Sequence, residues 1–186
     1  MRELIVTEFV SLDGVMEAPG GEPGYPHSGW VADFFDDALG EYKLNEQLAA
    51  DVLLLGRKTY DSFYGAWPDR DGPMADKINT MRKVVASTTL GSSDWQDTTI
   101  VADGLLDAVR ALKAEEGGPI LIVGSRSVAQ PLLREGLVDE LHLQVFPLVL
   151  GSGIRLYPDS PDATKLTLTE SRALGTGVML QTYRVG

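Results

Sequence analysis

Apolar runs and amphipathic segments alternate along most of the chain, which is the pattern of a largely parallel sheet covered by helices. The apolar runs that predict strands are residues 3–10, 52–55, 82–88, 98–103 and 119–124. The runs VLLL and ILIV contain no polar position, so these two strands are expected to be buried on both faces. The pattern therefore predicts a central sheet that is enclosed by helices.

Four segments between these runs predict helices, and the first is amphipathic. The segments are residues 30–51, 59–63, 104–118 and 125–136. In the last of them, Ser127 and Gln130 have the spacing of a capping box, so this helix is expected to open at Ser127. The face of the first helix that should pack on the sheet consists of Phe34, Ala38, Asn45 and Leu48, with Phe35, Leu39 and Tyr42 beside it.

The last third of the chain has a different pattern. Residues 139–151 alternate at first and then become apolar, whereas residues 166–174 and 177–185 are two alternating runs joined by a glycine-rich turn. These two runs are expected to pair as an antiparallel hairpin. We therefore predict an α/β fold with a mixed sheet of about eight strands, parallel at its centre and antiparallel at one edge.

Two segments rich in glycine and proline are expected to be loops. Residues 64–73 have the composition of a surface loop, and residues 11–29 form a longer one. A loop as long as the second usually covers a site or is mobile. We expect its closure over a site to determine which substrate is accepted.

The composition excludes several kinds of chemistry. The chain of 186 residues has no Cys and two His, which leaves no material for a zinc–thiolate site, a Cys nucleophile or a metal cage. It also has no P-loop and no G-x-G-x-x-G motif after a strand. Its length fits one domain over residues 1–186.

Charge and hydropathy narrow the class of partner. The formal net charge of −11 repels polyanions, so nucleic-acid binding through a basic face is not expected. No apolar run approaches the ~20 residues of a membrane span, and the opening segment lacks the pattern of a signal peptide. We therefore expect a cytoplasmic protein without a membrane partner. Because salt screens exposed charges beyond about 10 Å, a few well-placed cations can still bind a small anion.

Two predicted strands end in similar motifs, GRKT at residues 56–59 and GSRS at residues 124–127. Glycine lets the backbone approach a ligand closely, a helix N-terminus offers free N–H groups, and guanidinium groups match phosphate oxygens. Two such corners suit a ligand with separated phosphates, such as a dinucleotide. Ordinary strand-to-helix turns with solvated arginines are the alternative that the spacing leaves open.

The order of several motifs, spread over nearly the whole chain, resembles one known family. The motifs are SLDGVM, LLLGRKTYDSF, WP, KVVASTTL, ILIVGSRSVAQPLL, LVDELHLQVFPLVLGSGIRLY and GVMLQTYRV. Together they resemble the dihydrofolate-reductase-like family, in the branch of the reductase domain of bifunctional riboflavin-biosynthesis deaminase/reductase enzymes. The deaminase half of those enzymes has no counterpart in this sequence.

The resemblance implies a three-layer αβα fold, with NADPH as the hydride donor for a heterocyclic substrate. Arg57 and Lys58 would hold the 2′-phosphate that distinguishes NADPH from NADH. Residues 124–128 would lie beneath the diphosphate and the nicotinamide, where dihydrofolate reductases carry a Gly-Gly pair instead of Gly124 and Ser125. The residues implied to bind the cofactor are Gly56, Arg57, Lys58, Thr59, Ser87, Thr88, Gly124, Ser125, Arg126, Ser127 and Val128.

The substrate side has a different set of candidates. Asp13, in the SLDG motif, is the candidate catalytic carboxylate, and a turn residue that caps its own loop is the alternative. Trp30 and Phe34 could stack on a flat ring, with core packing as the alternative. Glu41 and Asp37 are candidates for the carboxylate that dihydrofolate reductases carry on the first long helix, with surface solvation as the alternative.

The resulting prediction is a reductase similar to 5-amino-6-(5-phosphoribosylamino)uracil reductase of riboflavin biosynthesis, with Arg155 as a candidate for the substrate phosphate. A dihydrofolate or pterin reductase is the enzymatic alternative, and an NADP(H)-binding module without turnover is the alternative of another class. His27 is expected in a solvated loop, and His142 is expected to be structural. The strand within residues 139–151 and the C-terminal hairpin should expose sheet edges, which favours a homodimer.

Overall fold

The computed structural model describes residues 1–157 and 163–186, and it is built around one eight-stranded sheet. The strands are β1 (Leu4–Ser11), β2 (Val52–Gly56), β3 (Arg82–Ala86), β4 (Thr98–Val101), β5 (Ile120–Val123), β6 (Glu140–Phe146), β7 (Leu166–Ala173) and β8 (Met179–Val185). The helices are α1 (Asp37–Ala49), α2 (Arg57–Tyr64), α3 (Pro73–Thr80), α4 (Leu105–Ala114) and α5 (Arg126–Arg134). The predicted α/β fold class is confirmed.

The strands are ordered β4-β3-β2-β5-β1-β6-β8-β7. β1 pairs in parallel with β5 and β6, β2 with β3 and β5, and β3 with β4. β8 is antiparallel to both β6 and β7. The sheet is therefore parallel at its centre and antiparallel at one end, as the sequence predicts. The carboxyl ends of β1 to β6 consequently lie along one edge of the sheet.

The two continuous apolar runs become β2 and β5, which are neighbours at the centre of the sheet. Leu54 and Ile122 belong to the core on the face of α4 and α5, whereas Leu53, Leu55 and Leu121 belong to the core on the face of α2 and α3. All five side chains are at most 1% exposed. Burial on both faces explains why these runs lack polar positions.

The helix predicted over residues 30–51 is shorter in the structure. A 3-10 turn, Ala32–Phe34, comes first, and α1 begins only at Asp37. Asp36 caps α1, because its carboxylate accepts a hydrogen bond from the Leu39 N–H at 2.9 Å. Asp36 therefore starts a helix within a segment whose apolar periodicity predicts one continuous helix.

The next two helices also differ from the prediction. α2 begins at Arg57, directly after β2, and not at Thr59. α3 follows the predicted loop and is a helix that the sequence analysis missed. Pro73 occupies its first turn, where the missing N–H of proline costs nothing, and this position is a known start signal for a helix.

The face of α1 that packs on the sheet also differs from the predicted one. Leu48, which the periodicity assigns to the packed face, is 49% exposed. The buried residues of α1 are instead Leu39, Lys43 and Gln47. An argument that leaves charged side chains in solvent selects the wrong face here, because Lys43 is buried.

Lys43 is buried because it belongs to a paired ionic cluster between α1 and the sheet. Its Nζ donates to Thr7 Oγ1 of β1 at 2.7 Å and to Glu46 Oε2 at 2.5 Å. Glu46 Oε1 lies 2.7 Å from His142 Nδ1 of β6. Burial opposes the charge on Glu46, but Lys43 and His142 outweigh this effect and lower the pKa of Glu46 to about 2. The cluster thus keeps its charges inside the protein.

The C-terminal hairpin is confirmed, and its turn is closed by a hydrogen bond from the Leu174 N–H to the Val178 carbonyl at 2.8 Å. β6, expected to expose an edge, instead lies between β1 and β8, and the outer strands of the sheet are β4 and β7. The homodimer stays a prediction. Among residues 1–157 and 163–186, no helix has the length and apolar character needed to cross a membrane.

We expect Lys43→Ala and Leu48→Ala, two substitutions on α1, to differ strongly in their effect on stability. Lys43→Ala leaves the buried Glu46 without its partner and should lower the free energy of unfolding by about 3 kcal/mol or more. Leu48→Ala removes an exposed side chain and should change it by less than about 0.5 kcal/mol. Urea denaturation of both variants measures the difference. Equal losses would contradict the observed orientation of α1.

Candidate functional site

The candidate cofactor residues lie at the carboxyl ends of β2 and β5. These strands are neighbours, and each leads directly into a helix, β2 into α2 and β5 into α5. In a sheet of this type, ligands bind where the carboxyl ends of the strands open. The two glycine-led corners that are 68 residues apart in sequence, Gly56 and Gly124, are thereby brought to the same edge.

Ser125 joins the two corners. Its Oγ accepts a hydrogen bond from the Gly56 N–H at 2.7 Å and donates one to Thr59 Oγ1 at 2.8 Å. The backbone at Gly124 and Ser125 is left-handed, with φ of 63° at both residues. This conformation is favoured by glycine and is uncommon for serine, so the two hydrogen bonds of Ser125 offset a local cost.

The glycines at the corners are required by close contact. A Cβ atom at Gly56 would lie 3.2 Å from Ser127 Oγ and 3.3 Å from a methyl group of Val128. A Cβ atom at Gly124 would lie 3.3 Å from Thr59 Oγ1. Both positions therefore allow the α2 and α5 corners to touch each other.

The predicted capping box of α5 is wrong. α5 begins at Arg126, and its N-cap is Ser125, whose side chain faces Gly56 and Thr59 and makes no capping bond. Gln130, the expected partner of Ser127, instead donates to the Leu156 carbonyl at 2.8 Å. The N-cap is therefore Ser125, two residues ahead of the predicted Ser127.

Arg57 lies beside the end of β3. Its Nε forms an ion pair with Asp61 at 2.8 Å, and its Nη1 lies 3.4 Å from Thr89 Oγ1. Ser87, which the sequence assigned to β3, follows the strand and accepts a hydrogen bond from the Thr89 N–H at 3.2 Å. The structure thus brings Arg57 and Ser87 to one place and adds Thr89, which the sequence analysis missed.

The other predicted site residues differ in exposure. Val128 is buried beneath the α5 corner. The ligand-binding roles of all these residues stay predictions. The predicted residues with exposed side chains are Lys58, Thr88, Arg126 and Ser127 near the strand ends, and Asp37 and Glu41 on α1.

Trp30 and Phe34 lie in an aromatic cluster around Phe146 on the face of α1. The ring of Phe146 meets Trp30 at 5.1 Å, Phe9 at 5.4 Å and Phe34 at 5.8 Å between centroids, each edge to face. Trp30 is 8% exposed, and its Nε1 donates to the Glu17 carbonyl. Phe34 remains half-buried, so part of its ring is left for a ligand.

Asp13 is held by donors from two parts of the chain. Its carboxylate accepts hydrogen bonds from Ser11 Oγ at 2.7 Å, from the Leu150 N–H at 3.0 Å and from the Gly151 N–H at 2.9 Å. The bond from Ser11, with help from the two amides, outweighs desolvation and lowers the pKa of Asp13 to about 2. Asp13 therefore carries no proton at neutral pH, and this geometry suits positioning of a loop or a substrate.

The long loop of residues 11–29 is anchored at both sides of the candidate site. Val15 pairs with Arg155 in an antiparallel bridge. Ser62 Oγ of α2 lies 3.3 Å from Glu22 Oε1, so the far part of the loop reaches the helix that carries Arg57. The loop therefore links the substrate side to the cofactor side.

Glu8, in the middle of β1, is a buried carboxyl group that the sequence analysis missed. It is 4% exposed, and its Oε1 has no hydrogen-bond partner among residues 1–157 and 163–186. Burial raises its pKa to about 8, although the charge of Lys43 and the Gly124 N–H act in the opposite direction. Glu8 therefore holds a proton at neutral pH. In the sequence, Glu8 could have been noticed as a single acidic residue within an apolar run that predicts a strand.

A small cavity of about 180 Å³ lies at the carboxyl end of β1. Val10, which follows Glu8 on the same face of β1, lines the cavity, as do Leu143, the register partner of Glu8 on β6, and Tyr157. Burial, Tyr183 and Glu8 together raise the pKa of Tyr157 to about 12. Glu8 does not line the cavity, but its neighbours Val10 and Leu143 do.

Comparison with known proteins places the chain in a family. Residues 2–180 match the family model described as the RibD C-terminal domain. The chain belongs to the RibD C-terminal domain family. The uncharacterised protein YwjB of Bacillus subtilis (strain 168) is 30% identical over 186 residues, which cover 98% of each chain. The uncharacterised protein YyaP of the same organism is 29% identical over 187 residues, which cover 98% of this chain and 94% of YyaP.

Two solved structures share the fold of this RibD C-terminal domain. A protein from Shewanella sp. PV-4, described as a candidate riboflavin biosynthesis protein, has a TM-score of 0.77 at 23% identity and covers 99% of both chains. A pyrimidine reductase-like protein from Corynebacterium diphtheriae has a TM-score of 0.71 at 16% identity, covering 100% of this chain and 92% of that one. The family resemblance seen in the motifs is confirmed, and the chain is a reductase-type domain.

We expect Ser125→Ala to destabilise this RibD C-terminal domain more than Ser127→Ala does. Ser125→Ala leaves the Gly56 N–H without its acceptor and should lower the free energy of unfolding by about 1–3 kcal/mol. The Ser127 hydroxyl is exposed, so its removal should cost less than about 0.5 kcal/mol. Urea denaturation compares the two variants. A larger loss of unfolding free energy in Ser127→Ala than in Ser125→Ala would argue against the role of Ser125 in holding the two corners together.

We expect Glu8→Gln to change how stability depends on pH. The pKa of Glu8 is about 8 in the folded protein and near 4.5 in the unfolded chain, so the folded state binds the proton more tightly. The stability that comes from this tighter proton binding by Glu8 is fully present below about pH 4.5 and is lost as the pH rises to about 8.

The Gln side chain is neutral at every pH, so the variant should lack this loss, which is on the order of a few kcal/mol. Denaturation of both proteins at pH 5, 6.5 and 8 provides the measurement. Parallel curves for wild type and Glu8→Gln would show that Glu8 does not bind a proton in this range.

Proposed function

We propose that this RibD C-terminal domain is an NADPH-dependent oxidoreductase that reduces a small heterocyclic substrate. The observation that carries the proposal is the joint at Ser125, whose Oγ accepts from the Gly56 N–H and donates to Thr59 Oγ1. Because of this joint, the N-termini of α2 and α5 lie side by side at one edge of the sheet. This arrangement suits a ligand with two phosphate groups in separate positions.

The residues at this edge fit the chemistry of NADPH. The first N–H groups of α2 and α5, with the hydroxyl of Thr59, would hold the diphosphate. Arg57 and Lys58 would hold the 2′-phosphate, and Ser87 and Thr88 would line the adenosine. The side chain of Arg57 is 39% exposed, and its ion pair with Asp61 is of the weak surface kind, so a phosphate can compete for the guanidinium.

When bound, NADPH would supply the hydride. The task of the chain is to place the substrate ring, exclude water and provide a proton. Residues 11–29 would cover the ring from the substrate side, and the half-buried face of Phe34 would contact it. Arg155, whose side chain is 47% exposed and lies 3.5 Å from the Asp13 carboxylate, would bind a substrate phosphate.

The proposed substrate resembles 5-amino-6-(5-phosphoribosylamino)uracil. The descriptions of the Shewanella and Corynebacterium neighbours, one linked to riboflavin biosynthesis and one to pyrimidine reduction, support a pyrimidine of this kind. A dihydrofolate or pterin reductase would use the same cofactor site on another flat ring. The proposal places the enzyme inside the cell, where NADPH is available.

An NADP(H)-binding module without turnover is the second candidate. It is favoured by the state of Asp13, whose carboxylate is engaged by Ser11, Leu150 and Gly151. NADPH oxidation measured against pyrimidine, pterin and quinone acceptors separates the two functions. Tight NADPH binding without turnover on any acceptor would favour the module.

We expect wild type to bind NADPH more tightly than NADH and Arg57→Ala to lose this preference. Loss of a charge-assisted hydrogen bond to the 2′-phosphate should weaken NADPH binding about 10- to 100-fold. NADH lacks this phosphate, so its affinity should change by less than about 2-fold. Fluorescence titration of both dinucleotides gives the dissociation constants.

Arg110→Ala is the matched control for Arg57→Ala. Arg110 is also an exposed arginine near an acidic side chain of its own helix, with Asp107 at 3.0 Å, but it lies on α4. Its substitution should leave both affinities unchanged. If Arg57→Ala behaves like Arg110→Ala, the assignment of the 2′-phosphate to Arg57 is wrong.

A further inference from the structure

A buried carboxyl group lies next to the strand end that the proposed function assigns to the nicotinamide. The register of β1 and β5 pairs Thr7 with Val123, which places Glu8 level with Gly124. The Gly124 N–H is close enough to the Glu8 carboxyl group to lower its pKa. Glu8 is therefore buried level with the start of the α5 corner, inside the sheet.

The side chains around Glu8 are apolar and give it no partner for a structural ion pair. β1 flanks it with Val6 and Val10 on the same face, and α5 presents Val128 and Ala129 to this core. Its Oε1 has no partner in the described part of the chain. An unpaired buried polar group lowers stability, so its presence in a central strand calls for a function.

The charged and titratable groups around Glu8 are few. Tyr157, from the segment after β6, and Tyr183 of β8 lie on the cavity side. Lys43 acts from the opposite face of the sheet, where it is already paired with Glu46. None of these groups offers Glu8 a direct ion pair among the described residues, so the acid form is retained.

Glu8 differs from the other acidic groups near the site. Asp13 and Glu46 both have a pKa of about 2 and carry no proton at neutral pH. Burial of Glu8 raises its pKa to about 8. Of these three groups, Glu8 alone can release a proton when a positive charge appears nearby.

We propose, building on the NADPH-dependent reductase function above, that Glu8 holds the proton that reduction consumes at the α5 corner. Reduction of a C=N bond adds a hydride to carbon and a proton to nitrogen. The hydride would come from the dihydronicotinamide, which becomes the oxidised ring. The proton would leave the Glu8 carboxyl oxygen, and the carboxylate would then regain a proton from water.

The charge of the nicotinamide provides a test that needs no substrate. The oxidised ring of NADP⁺ carries one positive charge and the reduced ring of NADPH carries none. If the ring lies near Glu8, NADP⁺ should favour the Glu8 carboxylate, whereas NADPH should not. By linkage, NADP⁺ should then bind more tightly as pH rises through the titration of Glu8.

Calorimetric titration of NADP⁺ and NADPH at pH 7, 8 and 9 measures this coupling. Groups that act on the shared phosphates cancel in the ratio of the two dissociation constants, NADP⁺ over NADPH. In wild type this ratio should fall by ~10-fold between pH 7 and pH 9. In Glu8→Gln, which keeps the shape but cannot ionise, the ratio should stay constant.

Three results would overturn the inference. If both dinucleotides bind to wild type but the ratio of their dissociation constants does not change with pH, the role of Glu8 is wrong and the reductase function is unaffected. A ratio that falls equally in Glu8→Gln would assign the coupling to another group. Absence of binding by both dinucleotides would defeat the proposed function together with the inference.

A second measurement keeps the test decisive if Glu8→Gln does not fold. Wild type labelled with ¹³C at its glutamate carboxyl groups should show an infrared band of a protonated carboxyl group at pH 7. Addition of NADP⁺ should diminish this band, and addition of NADPH should leave it. Persistence of the band with NADP⁺ bound would contradict the proposal.

Discussion

The candidate site depends on one side chain, Ser125, which is hydrogen-bonded to both strand corners. Its Oγ accepts a hydrogen bond from the Gly56 N–H and donates one to Thr59 Oγ1. These bonds hold the starts of α2 and α5 together where the carboxyl ends of the parallel strands meet. The contact is close enough that a Cβ atom at Gly56 or Gly124 would crowd its neighbours at 3.2–3.3 Å. A left-handed backbone at Ser125 is the local cost of this joint. Strand pairing brings the two corners to one edge, and the hydrogen bonds of Ser125 fix them against each other.

Buried charge is organised differently on the two faces of the sheet. On the face of α1, Lys43 and Glu46 neutralise each other, and Thr7 and His142 complete their hydrogen bonds. On the opposite face Glu8 lies among apolar groups and remains protonated. The first arrangement fixes a helix on the sheet, whereas the second keeps a titratable group beside the strand ends. A reductase needs both a rigid floor and a source of protons, and the two faces of β1 are suited to these separate tasks.

Local patterns predicted the architecture well, because strand burial, the glycine-rich hairpin turn and the GRKT and GSRS corners are all written in consecutive residues. The errors arise where a distant partner decides the outcome. Lys43 is buried because Thr7 and Glu46 accept hydrogen bonds from its ammonium group, and helical periodicity cannot anticipate that pairing. Ser125 replaces Ser127 at the start of α5 because Gly56 and Thr59 engage its hydroxyl. Glu8 was overlooked since one acid in an apolar strand carries no motif.

The central claim is that the α2 and α5 corners form a single dinucleotide site, and amide chemical shifts measured by NMR during NADPH addition test it most directly. The account expects the amides of residues 56–59 and 124–128 to shift together and to saturate at the same NADPH concentration. Amides in the last turn of α4, where the Lys113 carbonyl accepts a hydrogen bond from the Arg2 N–H ahead of β1, should stay in place. Shifts confined to one corner, or two corners saturating at different concentrations, would contradict the claim.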